Sequence, residues 1–153
     1  EDQKAGLQIQ KKMLPKVKKT VCQYLFEHSV KPSLYLSGDF LDYFNLDEHR
    51  CLFYFADVSG HGASSAFVTV LLKNLSMRLK RNFKRGSSDH LSDPANFLKR
   101  VNHELLSTDL GKHVTIFVGV LDNRTNQLSY STVGSGIQAW ERYRLITRFT
   151  WFG

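Results

Sequence analysis

The run Phe53-Tyr54-Phe55-Ala56-Asp57-Val58-Ser59-Gly60-His61-Gly62 constrains this chain more than any other stretch. The apolar, aromatic-rich piece from Leu52 to Ala56 has the length and composition of a buried strand. It breaks off at a carboxylate and a turn with two glycines, and from Ala63 neither Pro nor Gly interrupts the chain until Gly86. The pattern predicts a strand, a tight turn and a long helix, with Asp57 at the strand end. Glycine accepts backbone conformations closed to other residues, so such a turn can hold main-chain carbonyls and amides beside the carboxylate. Strand-end aspartates also serve as helix caps or turn formers. Asp57 becomes a ligand for a hard cation only with a second carboxylate nearby.

Ser37-Gly38-Asp39-Phe40-Leu41-Asp42 supplies that second group, again after an apolar alternation and with Gly directly before Asp. Two strand-edge carboxylates that converge with backbone oxygens and water suit magnesium or manganese. Ser37-Gly38-Asp39-Phe40-Leu41-Asp42-Tyr43-Phe44, followed by Phe55-Ala56-Asp57-Val58-Ser59-Gly60-His61-Gly62-Ala63-Ser64-Ser65-Ala66, resembles the metal-binding core of the bacterial SpoIIE/RsbU-type branch of the PPM serine/threonine protein phosphatases. Gln8 to Pro15 is similar to the helix leading into that domain. His113-Val114-Thr115-Ile116-Phe117 is similar to its Phe-Val-Thr strand, and Leu128 to Gly134 to its Tyr-Ser-x-Ala-Gly strand. The matches occur in order and span roughly residues 8 to 136.

The resemblance implies two stacked antiparallel sheets flanked by helices, with the metal centre at one end of the sandwich. It implies Mn²⁺ or Mg²⁺, two ions in a complete site, held by Asp39, Asp57 and the Val58 carbonyl, with Asp42 contributing through water. The ions would activate a water for in-line attack on phosphoserine or phosphothreonine. His61 is a candidate acid for the leaving group, with shaping of the turn as its alternative role. The implied substrate is a phosphorylated regulatory protein of the anti-sigma-factor antagonist type. The implied setting is bacterial two-component signalling, as the output domain of a response regulator or sensor. The family continues to an Asp-Gly strand end and a further metal-binding Asp, whereas beyond residue 110 this chain has only Asp122 and Glu141 as acids. A second reading therefore stands beside the enzyme: a weak or inactive PPM-like adaptor that binds a sigma-factor regulator.

Residues 1–14 are expected to form a linker or dimerising helix, giving a homodimer, and 15–153 the phosphatase domain, whose C-terminal metal-binding part is not recognisable. A chain of 153 residues with 42% hydrophobic content fits one domain. It opens at Glu1 rather than Met, as expected of a fragment of a longer protein. No apolar run approaches the roughly 20 residues needed to cross a bilayer, so the expectation is a soluble, cytoplasmic protein without membrane contact. Cys22 and Cys51 lack the spacing of a metal or redox motif and read as buried thiols. Neither cysteine has Arg six residues on, which removes the thiolate phosphatase class.

The net charge of +7 raises the question of nucleic acid. Two clusters carry much of it, one from Lys11 to Lys19 and one from Lys73 to Arg85. No zinc-finger spacing, stacking signature or recognition-helix module accompanies them, so nucleic acid is not an expected partner. They read as a solvated helix face or as a docking surface for an acidic or phosphorylated protein.

Along the chain, Pro15 predicts a helix end at Leu14. Val17–Glu27 and Leu34–Leu36 read as strands, and Phe40–Leu46 with Arg50–Ala56 as a hairpin around Asp47-Glu48-His49. A helix from Ala63 to about Phe83 is expected to bury Phe67, Val70, Leu71, Leu75 and Leu79. Asp93-Pro94 predicts the start of a second helix, with Phe97, Val101 and Leu105 inward. Val114–Leu121 and Leu128–Val133 read as a hairpin or meander. The overall expectation is an α+β arrangement.

Overall fold

The computed structural model describes residues 2–30, 36–87 and 90–134. Helix α1 (Asp2–Met13) precedes a short hairpin, β1 (Lys18–Val21) and β2 (Tyr24–Glu27). Strands β3 (Asp39–Asn45) and β4 (Arg50–Val58), helices α2 (Ala63–Lys84) and α3 (Pro94–Leu106), and strands β5 (Val114–Asp122) and β6 (Gln127–Val133) follow. Strands β3-β4-β5-β6 form one antiparallel sheet in that order, and β1-β2 form a second, two-stranded one. The α+β expectation holds.

Strand register divides the sheet into two faces, because side chains alternate with period two and directly paired residues share a face. Leu52, Tyr54, Ala56 and Val58 of β4 face the same way as Ile116, Val118 and Val120 of β5. With Phe40 and Phe44 they form one buried core with Val68, Leu72, Leu75 and Leu79 of α2 and Phe97 and Val101 of α3. Both helices therefore lie on this face. Tyr54 sits at the centre, its ring 5.2 Å from that of Phe97 and its hydroxyl 3.2 Å from that of Ser76. The opposite face carries a smaller core, in which Val21 and Phe26 of the hairpin meet Tyr43, Cys51, Phe53 and Leu121.

Local chemistry sets the element ends. Gly86, at φ 69°, closes α2. Its amide donates to the Phe83 carbonyl and that of Ser87 to the Asn82 carbonyl, the paired bonds of a Schellman motif that needs a left-handed residue. The Asp93 carboxylate caps α3 by accepting from the Ala95 amide at 2.9 Å, with Pro94 in the first turn. Both helices and the β3-β4 and β5-β6 hairpins match the sequence expectation closely.

Two expectations are corrected. Val17–Glu27 is a hairpin rather than one strand, turning at Cys22 and Gln23 with φ 47° and 72°. Neither residue favours positive φ, and the turn is held from outside: the Cys22 thiol donates to the Asp47 and Arg50 carbonyls, and the Asn123 side chain donates to the Cys22 carbonyl. The buried face of α2 is also rotated from the expected one. Ser65, Ala66, Val68, Thr69, Leu72, Leu75, Ser76 and Leu79 point inward, while Phe67 is 51% exposed. Small polar residues occupy this face because the helix lies close to the sheet, and their hydroxyls bond locally, Thr69 to the Ala66 carbonyl and Ser76 to that of Lys73. Val70 and Leu71 are half-buried. The strand expected at 34–36 falls mostly outside the described residues, and Leu36 itself is not in a strand.

Candidate metal centre

Asp39 opens β3 and Asp57 is the penultimate residue of β4, and the two are directly paired across the strands. They share the face not covered by α2 and α3, at the end of the sheet remote from the Phe26–Tyr43 ring stack. Cβ atoms of directly opposed residues lie about 4.5–5.5 Å apart, and like charges so placed repel. Both residues have interaction partners in the structure. A cation between them would reverse the sign of the cross-strand term.

The backbone around the pair is tightly built. Val58 donates its amide to the Gly38 carbonyl at 3.1 Å, and a Cβ on Gly38 would come within 2.5 Å of the Val58 carbonyl oxygen. Only glycine permits that approach, which accounts for Gly directly before Asp39. Ser59 is fixed from three sides: its amide donates to the His113 carbonyl, its hydroxyl accepts from the His113 amide at 3.0 Å, and its carbonyl accepts from the Ser65 hydroxyl at 2.9 Å. Gly60 and Gly62, at φ 80° and 85°, complete the turn into α2. The Ser37 hydroxyl accepts from the Asp39 amide at 3.0 Å.

Of the residues singled out in the sequence, the structure brings together Asp39, Asp57 and the Val58 backbone. It does not bring in Asp42. Three positions beyond Asp39 on a strand, Asp42 faces the helices, is buried, and pairs with Lys73 of α2 at 2.7 Å. Its expected role near the metal, through water, is replaced by an ion pair on the far side of the sheet. Burial first, and then the Asp42 charge, pushes the Tyr43 phenol up to about 12 and raises the Tyr54 phenol as well. His61 is exposed in the turn after β4.

The sequence reading missed two contributors. Gln10 of α1 is buried, and its side chain clasps Ser37: the amide group donates to the Ser37 carbonyl and to the Thr69 hydroxyl, and its oxygen accepts from the Ser37 amide. A glutamine in a polar helix carries no pattern that distinguishes it from surface residues; only the tertiary contact reveals it. Lys112 places its ammonium where a Cβ on Gly60 would be 3.0 Å away, adding a positive charge at the rim of the turn.

Two carboxylates with a nearby carbonyl fit a hard ion such as magnesium, which is often bound through one or two carboxylates with waters completing its shell. Among the described residues no group of three or more His, Cys, Asp or Glu side chains converges on one point. The described residues offer one cross-strand carboxylate pair, Asp39 and Asp57.

A helix-backed antiparallel sheet with a second small sheet on its other face and paired acids at one end defines a PP2C-type sandwich. The family model for stage II sporulation protein E (SpoIIE) matches residues 47–142, and the chain belongs to that family. Phosphoserine phosphatase RsbP of Bacillus subtilis (strain 168) is 31% identical over 111 residues, which make up 69% of this chain and 26% of that protein. The SiaA-PP2C domain of Pseudomonas aeruginosa superposes with a TM-score of 0.64 at 23% identity, covering 84% of this chain and 50% of that one. A structure of the RsbU and RsbW domains of a Mycobacterium tuberculosis protein gives 0.52 at 25% identity, covering 70% and 28%. The chain therefore spans about a quarter of the length of its curated relative.

Proposed function

We propose that this chain contributes the first part of a divalent-metal centre in a serine/threonine protein phosphatase of bacterial signalling. The substrate would be a phosphorylated regulatory protein such as an anti-sigma-factor antagonist. The observation that carries the reading is the direct cross-strand pairing of Asp39 with Asp57 on the open face of the sheet. Asp39 and Asp57 would hold Mn²⁺ or Mg²⁺, with the Val58 carbonyl as a further oxygen donor. A bound divalent ion supplies Lewis acidity and lowers the pKa of a coordinated water. The hydrogen-bonded strands keep both carboxylates in place without reorganisation. The positive N-terminus of α2, capped by Gly62 with no side-chain acceptor, and the Lys112 ammonium favour a phosphoryl group above the turn. His61 serves as a proton donor to the leaving group or as a turn residue, and substitution to Asn separates these roles through the pH profile.

No helix among the described residues is long and apolar enough to cross a membrane; a cytoplasmic setting is part of the proposal. The relative named as a phosphoserine phosphatase supports the reaction class. We place α1 as the linker to an upstream regulatory domain and as the dimerising element. The small ligand set among the described residues favours a second reading for the isolated chain, an adaptor with weak activity or none.

Calorimetric titration with manganese tests the proposal. The unmodified chain is expected to bind Mn²⁺ weakly, and Asp57→Asn to lose that binding. Equal binding by both proteins would make Asp57 a structural residue and overturn the site. With manganese present, Asp57→Asn should also abolish any turnover of a phosphorylated regulator.

A further inference from the structure

On the helix side of β3, where the edge of the sheet meets α2 and the segment leading into β1, lies a cleft of about 280 Å³. Lys16, Lys19, Lys73 and Lys80 line it, together with Asp42 and the apolar surfaces of Phe44 and Met77. We propose that this cleft docks an acidic segment of a protein partner, its carboxylates seated on the lysines and its methylenes on the apolar floor.

Four ammonium groups from two separate parts of the chain, residues 16–19 and helix α2, converge on one concave surface. Among the described residues only one has a carboxylate there, Lys73 with Asp42 at 2.7 Å. Four lysines against one aspartate leave a local excess of three positive charges. Lys80 stands over the Phe44 ring, 5.1 Å from its centroid. Its pKa is lowered, first by burial and then by the charges of Lys84 and Lys19. Folding has gathered like charges at a cost, and an anion in the cleft would relieve it. Met77 is 49% exposed and offers the occupant apolar surface beside the charges.

The chemistry favours separated carboxylates over a single oxyanion. Lysines are compact point charges on flexible stems, and no arginine lines the cleft to grip one phosphate with a planar fork. Nucleic acid is disfavoured because Tyr43 and Phe44 are buried and give no platform for stacking a base. Asp42 lies three residues along β3 from Asp39, about 10 Å at strand rise, and on the other face of the sheet. An occupant would thus flank the carboxylate pair without competing for it. The inference stands apart from the phosphatase reading, since neither metal nor hydrolysis enters the measurement.

Fluorescence anisotropy with a labelled ten-residue oligoglutamate tests it. Lys19→Glu/Lys80→Glu should weaken binding at least a hundredfold, about tenfold or 1.4 kcal/mol for each position. Lys19→Gln/Lys80→Gln, which keeps the surface polar without reversing charge, should fall between, and circular dichroism checks that each variant is folded. Lys99→Glu/Arg100→Glu, on the exposed side of α3, changes net charge equally and should leave binding within twofold. A loss as large in this control would show general attraction only. Full displacement by millimolar inorganic phosphate, or tighter binding of duplex DNA of equal charge, would likewise overturn the assignment.

Discussion

On the helix-covered face of the sheet, Leu52, Tyr54, Ala56, Ile116 and Val118 are sealed at 2% exposure or less. Across the same strands, the opposite face changes along its length. Tyr43 and Phe53 lie under the β1-β2 hairpin at 5%, whereas Tyr130 of β6 is 62% exposed although its ring stacks on Phe117 at 5.5 Å. The sealed face holds the fold and the ion pair of buried Asp42 with Lys73. The open face holds Asp39 and Asp57. Stability and the candidate chemistry are thus assigned to opposite sides of one set of strands, and β3 contributes an aspartate to each.

The largest expected effect separates the faces directly. Phe97→Asp puts an uncompensated charge into the sealed core, at a cost of ~3–5 kcal/mol, comparable with the stability of a whole small domain. The protein should unfold. Tyr130→Asp on the open face loses the ring stack on Phe117 and should cost only about 1 kcal/mol. Thermal melts that rank the two in the other order would break the distinction between structural and functional sides.

Gly38→Ala comes next. Its new Cβ would meet the Val58 carbonyl oxygen at 2.5 Å, and the strands must separate, at about 1–3 kcal/mol. Chemical denaturation should show this loss, and calorimetry a weaker response to manganese. A variant that is destabilised yet binds manganese normally would dissociate the strand spacing from the site.

The two aspartates of β3 sharpen the comparison further. Asp42→Asn removes the partner of Lys73, which keeps some access to water, and should cost about 1–2 kcal/mol with little effect on manganese binding. Asp39→Asn should abolish manganese binding while leaving the protein folded. Identical behaviour of the two variants in both assays would mean that face does not determine role.

The smallest expected effect is a pH response under the hairpin. Burial lowers the pKa of His28, whose ring shares a 3.0 Å hydrogen bond with the Tyr43 hydroxyl. The folded state prefers the neutral ring. The contribution is complete above the unfolded value of about 6.5 and is lost as pH falls through the lowered folded value. Melting temperature should therefore drop more between pH 7 and 5 in the unmodified chain than in His28→Gln, and parallel curves would remove His28 from the account.

Much of this architecture was legible because local signals agreed with global packing. The apolar run ending at Asp57, the long stretch free of Gly and Pro after Gly62, and the Asp93-Pro94 cap each specify their element alone. Cys22-Gln23 gave no turn signal, since the positive φ values are enforced by bonds to Asp47, Arg50 and Asn123, residues that sequence does not mark as neighbours. At Phe67 hydrophobicity points inward, but the face of α2 against the sheet takes small residues, Ser65, Ala66, Thr69 and Ser76. Asp42 is the instructive case. Its separation from Asp39 by an odd number of strand positions already placed the two on opposite faces, so the signal was present in the spacing. Gln10 had no such signal.

Because Asp39 and Asp57 meet as a cross-strand pair, the site is written in the phase of the β3-β4 hairpin as well as in residue identity. Inserting a single residue between Asp39 and the Asp47 turn would carry the first carboxylate to the helix side while every site residue remained in the gene. An extra residue at the turn itself would leave the phase intact. Length variation among descendants of this sequence should therefore collect at the hairpin tip and be purged from its arms, a pattern of tolerated insertions that a deletion-and-insertion scan of the locus would expose without any assay of metal or phosphate.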